Sequence, residues 1–131
     1  MPTKQPPENK VVAAPVDRLF LFQQHADGYG TIVITRDIGM VGGGCYLGLL
    51  VDGQLAAKLD TGERASFHLA PGEHIVTSTW VDGRGLCGAF YNEERAAARR
   101  RSTEIIVREG ASKNYRIHTN TDGESTIEPV L

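Results

Sequence analysis

The sequence predicts an all-β fold: an antiparallel β-sandwich of about seven or eight strands carrying one short inserted helix. Three observations lead there. From Asp17 onward, short apolar or alternating runs recur along the chain, the pattern of strands with one face buried. Glycine, proline and aspartate separate them, residues that reverse a chain for conformational reasons. One alanine-rich stretch with acidic residues at its start and arginines at its end breaks the pattern, and it reads as a helix.

The elements follow in order. Met1 to Val16 holds four prolines among polar residues, which predicts a flexible proline-rich tether over residues 1–16 ahead of a single domain over 17–131. Arg18–Gln23 is the first expected strand and Thr31–Arg36 the second. Tyr46–Val51 leads into Asp52-Gly53, a pair suited to a two-residue type I′ turn because both positions need positive φ. Gln54–Leu59 returns from it. Ala65–Leu69 and His74–Val81 are then expected as strands joined in a hairpin by Pro71-Gly72. In such a hairpin His74 pairs with Leu69 and His68 with Ile75, which sends the two imidazoles to opposite faces. Thr103–Val107 and Asn114–Thr119 follow, joined through Glu109 to Ser112, with a short edge strand at Ser125–Pro129.

The helix is expected over Asn92–Arg101. Asn92 supplies a cap, Glu93 and Glu94 sit at the positive end of the helix dipole, and Arg99, Arg100 and Arg101 at its negative end.

The bulk composition excludes some functions. A length of 131 residues allows one domain with a real core. A net charge of -2 gives no global basicity for nucleic acid. The arginines of the helix are the only local basic cluster, and no aromatic residues interleave with them. No apolar run reaches the roughly 18 residues of a membrane-spanning helix.

The glycine run Gly42-Gly43-Gly44 invites a phosphate-loop reading and fails it. A dinucleotide fingerprint needs G-x-G-x-x-G ahead of a helix. Gly42 and Gly44 fill the first two positions, but the third falls on Leu47 and a β-prone run follows. His25, His68, His74 and His118 show no dense metal-ligand spacing, and the two cysteines form no C-x-x-C pair. No nucleophile elbow is present, and no serine, histidine and acid stand in a recognisable order. No cofactor, no metal and no catalytic residue are therefore expected, and an enzyme, such as a small hydrolase, is the lesser reading.

Cys45 and Cys87 are the only cysteines. Bonded to one another they close a long loop, worth about 4 kcal/mol by chain entropy. The alternative is two thiols packed as small hydrophobes.

The segment Arg18–Trp80 resembles a family of small bacterial envelope lipoproteins built on a domain of unknown function. The residues that carry the resemblance are Leu19-Phe20-Leu21-Phe22, Leu50-Val51-Asp52-Gly53-Gln54 and Phe67-His68-Leu69-Ala70-Pro71-Gly72-Glu73-His74. The Val-Asp-Gly and later Pro-Gly-x-His are also similar to PEGA-type surface modules. The run Ser102–Thr119 looks like the closing strands of that family. The resemblance implies a β-sandwich without catalysis, located in the bacterial periplasm or envelope and anchored through a lipidated cysteine ahead of residue 1. Export would supply the oxidising surroundings that a Cys45–Cys87 bridge needs.

Between Val81 and Arg101 the chain departs from the family pattern. That insertion is the expected partner-binding surface, through Trp80, Arg84, Phe90, Tyr91, Arg95 and Arg99, residue types common at interface hot spots. The expected function is non-enzymatic: a protein-binding module of the envelope, such as an immunity or accessory protein for a secreted toxin. The alternative is a structural envelope lipoprotein with no dedicated partner.

Overall fold

The computed structural model of the chain describes residues 1–40, 44–81 and 92–130. Among them are nine strands in two sheets and one short α-helix, so the all-β sandwich with an inserted helix is the architecture found. In chain order the strands are β1 (Val12–Ala13), β2 (Gly30–Arg36), β3 (Leu47–Val51), β4 (Gln54–Leu59), β5 (Glu63–Leu69) and β6 (Gly72–Trp80). Helix α1 (Glu93–Ala98) precedes β7 (Arg101–Val107), β8 (Ser112–Thr119) and β9 (Ser125–Pro129). One sheet has the order β1-β5-β2-β8-β9 and the other β4-β3-β6-β7.

Alternation along the strands builds the core. Ile32, Ile34, Phe67, Leu69, Tyr115 and Ile117 from the first sheet join Leu47, Leu49, Val51, Val76, Ile105 and Val107 from the second in one buried cluster. Each large apolar side chain removed from water contributes about 1.5–3 kcal/mol, which makes this seam the main source of stability.

Local turn chemistry works as expected at Asp52-Gly53. Asp52 has φ 49° and Gly53 φ 81°, both positive as a type I′ hairpin requires, and β3 pairs antiparallel with β4 across them. Two other turns join strands of different sheets. Pro71-Gly72 carries the chain from β5 in the first sheet to β6 in the second, so no hairpin forms there. His68 pairs with Thr31 and His74 with Ile105, in place of the cross-turn register expected. Glu109 to Ser112 likewise crosses between sheets, and β8 lies parallel to β2. That crossover runs against Gly30, where a Cβ would stand 2.5 Å from the Arg108 carbonyl oxygen. Only glycine fits so close an approach.

Two expectations near the N-terminus are corrected. Arg18–Gln23 is not a strand. Val16–Arg18 forms a 3-10 turn, Leu19 makes a single bridge to Ala57, and Phe22 takes φ 63°, which ends any extended run. Arg18 turns toward β5 and grips both carboxylate oxygens of Glu63 at 2.6 and 2.7 Å.

Residues 1–16, expected as a free tether, are tied to the domain. Val12 and Ala13 pair parallel with β5, Lys4 bridges Ile38, and Ala14 joins the core. Thr3 is buried, donating its N–H to the Thr119 carbonyl at 2.9 Å and its hydroxyl to Asp37 at 2.9 Å. Prolines that suit a linker also suit an extended strap whose hydrogen bonds go to neighbours instead of to itself.

Candidate interaction surface

The far end of β6 and helix α1 hold those expected partner-binding residues that are described. Trp80 closes β6 opposite Leu47. It is half-buried: its indole N–H donates to the Gly123 carbonyl at 2.8 Å, and the guanidinium of Arg36 lies 5.5 Å from its ring centroid. Arg36 is 2% exposed. Its Nη1 donates to the carbonyls of Cys45 at 2.6 Å and Leu59 at 2.8 Å, and burial pulls its pKa down to about 10 against the opposing pull of Asp60 and Glu63. It therefore stays charged at neutral pH. One buried cation thus joins the approach to β3, the end of β4 and the end of β6.

Helix α1 forms for the reasons its sequence suggests. The Asn92 side chain accepts the Arg95 N–H at 3.0 Å, satisfying one of the unpaired donors of the first turn. Ala96 is its buried residue. The arginines that follow pin the helix down. Arg99 Nε donates to the Asp122 carbonyl at 3.2 Å, Arg100 Nε to Thr79 Oγ1 at 3.2 Å, and Arg101 pairs with Glu124 at 2.6 Å. Arg99 and Trp80 therefore converge on the same β8–β9 turn, around Asn120 to Glu124.

Arg95 differs from them. It is exposed, and among the described residues its side chain makes no hydrogen bond or ion pair. Arg84, Phe90, Tyr91 and Cys87 lie outside the described residues. What the structure fixes is the two flanks of the segment 82–91: Val81 donates its N–H to the Tyr46 carbonyl at 3.3 Å, and Asn92 caps α1.

A second polar cluster had no signal in the sequence. Asp37, 1% exposed, follows β2. It accepts from the Thr3 hydroxyl and, on both oxygens, from the guanidinium of Arg116 on β8. That hydrogen bonding holds the Arg116 pKa above its ordinary value. His118 Nδ1 stands 3.0 Å from Arg116 Nη2 and 3.2 Å from Asp37 Oδ2. It accepts from Arg116 when unprotonated and donates to Asp37 when protonated. These partners are 79 and 81 residues apart in sequence, which is why spacing could not reveal them.

Two histidine pairings complete the inventory. His74 Nδ1 meets Asp52 Oδ2 at 2.6 Å, with its Nε2 2.7 Å from the Ala70 carbonyl. Burial lowers the His74 pKa, but Asp52 and Ala70 together outweigh it and the net direction is upward. His68 Nδ1 meets Thr31 Oγ1 at 3.0 Å, and its ring stands edge-on to His25. Among the described residues no three His, Cys, Asp or Glu side chains are placed to hold a metal. No family model, curated protein or solved structure matches the chain.

Proposed function

We propose that the chain is a non-enzymatic protein-binding module of a bacterial envelope, and that the segment 82–91 with Arg95 forms its binding surface. The observation that carries this reading is the anchoring of that segment's flanks. Trp80, Arg99, Arg100 and Arg101 fasten β6, α1 and the β8–β9 turn to one another, so a stretch containing Arg84, Phe90 and Tyr91 departs from and returns to a rigid scaffold. Recognition residues carried between fixed flanks are a general solution for binding. In this reading Trp80 and Arg99 act as supports, and Arg84, Phe90, Tyr91 and Arg95 touch the partner.

Export to an oxidising compartment and a Cys45–Cys87 bridge belong to the same proposal. Cys45 lies where Arg36 holds its carbonyl, so a bond from there to Cys87 would tether the binding segment to the buried arginine's site. The partner is a secreted toxin or another envelope protein.

The test is protection and binding with the product of each gene adjacent to this chain's own. One such product is expected to bind the purified chain and, if toxic, to be neutralised by co-expression. Failure of every neighbour to bind, with an envelope-integrity defect on deletion, would favour a purely structural envelope role.

A further inference from the structure

The side of the sandwich away from β4 carries a slot that this function does not use. β7 is the edge of its sheet, and the facing edge of the other sheet is β9. The seam between them is closed where Thr103 Oγ1 donates to the Ile127 carbonyl at 3.2 Å. β9 ends at Pro129, and beyond it the last residues of β7 face a slot of about 420 Å³. Inward-facing Ile32, Ile105, Val107 and Tyr115 line it. The Tyr115 ring is buried, and desolvation raises its pKa. On the outer face of the same edge, Ile106 is 57% exposed and the neighbouring Ile75 51%.

Two cations stand at this opening. Lys113 lies 5.5 Å from the Tyr115 ring centroid, and Arg108 lines the slot at the end of β7. Both are exposed, and neither forms an ion pair among the described residues. Glu104 is the one carboxylate in the lining, and it lies on the outward-facing side of β7.

We propose that this edge is a second interaction site, which takes an extended acidic segment of a partner protein as an added strand on β7. A strand's side chains alternate between faces, so the apolar residues of an alternating segment would enter the slot, while the residues between them would lie on the outer face with Ile106. Its carboxylates would meet Arg108 and Lys113. Main-chain pairing to an open edge supplies affinity, and the side-chain pockets supply choice. The charge at the opening sets the sign of the partner.

The probe is an acetylated, amidated hexapeptide alternating glutamate and valine, titrated into the ¹⁵N-labelled full chain and followed by amide shifts. Shifts are expected at Ile105–Arg108 and Ser112–Tyr115, weakening as salt is raised. Replacing glutamate by lysine in the peptide, or introducing Arg108→Glu with Lys113→Glu, is expected to weaken binding about tenfold or more. Both protein substitutions are at exposed positions, and an unchanged spectrum elsewhere verifies the fold. Equal response to both peptides overturns the proposal, as does no shift along β7. Shifts produced by decanoate but not by the peptide also overturn it, in favour of a small amphipathic anion. Loss of toxin or envelope-partner binding at the segment 82–91 would leave this result unaffected, so the two readings fail separately.

Discussion

Replacing Asp37 by alanine tests how the N-terminal residues are attached. Its carboxylate is 1% exposed and takes hydrogen bonds from Thr3 and, twice, from Arg116. Removing one partner of a buried ion pair destabilises by about 3–5 kcal/mol. Arg116 and His118 keep 19% and 25% side-chain exposure, so part of the freed charge rehydrates, and a loss of about 2–4 kcal/mol is expected. Asp37→Asn keeps the shape and an acceptor and should lose about half as much.

Urea unfolding followed by the fluorescence of the single tryptophan measures both. Thr3→Val completes a double-mutant cycle, for which contact through one carboxylate predicts a coupling of about 0.5–1.5 kcal/mol. A loss below about 1 kcal/mol for Asp37→Ala, or additivity with Thr3→Val within about 0.3 kcal/mol, would refute the attachment through Asp37.

Three further outcomes are expected elsewhere in the molecule, the last resting on the proposed bridge. His74 has a raised folded pKa relative to 6.5 and Asp52 a lowered one relative to 3.8. The histidine's share of stability is full below 6.5 and fades as pH rises through its folded value; the aspartate's is full above 3.8 and fades as pH falls through its own. Wild type should therefore exceed Asp52→Asn most between those values, by less than about 1 kcal/mol because Asp52 is 48% exposed, and a gap that widens toward pH 8.5 contradicts the pairing. Trp80→Phe should lose about 1–2 kcal/mol by circular dichroism, since the bond to Gly123 and part of the Arg36 contact go, and should leave partner binding within about threefold if Trp80 is a support. Intact mass with and without reductant should differ by about two hydrogens, and Cys87→Ser should lower stability by up to about 4 kcal/mol; free thiols in the oxidised protein contradict the bridge.

What the sequence revealed divides along local and non-local lines. Asp52-Gly53 and the Asn92 cap were legible because each is decided within a few residues, by positive φ in one case and by a side chain reaching its own helix in the other. Pro71-Gly72 misled for the same reason: Gly72 takes a positive φ, 127°, but a local reversal does not say which sheet the next strand joins. Arg18–Gln23 has strand composition, yet Arg18 is drawn to Glu63 and Phe22 leaves the extended region. The prolines of residues 1–16 describe a segment that cannot build its own ladder, not one that finds no partner. The Asp37–Arg116–His118 cluster and the Arg36–Trp80 contact were invisible because their members meet only once both sheets are assembled. Of the expected surface, composition could not separate the arginines that brace α1 from Arg95, whose side chain makes no hydrogen bond or ion pair among the described residues.

The most direct measurement of the proposed function is the affinity of the full chain for the product of an adjacent gene, compared with a variant carrying Arg84→Ala, Phe90→Ala and Tyr91→Ala. At least about a hundredfold loss of affinity is expected, in line with a few hot-spot residues dominating an interface. Undiminished binding by that variant would contradict it.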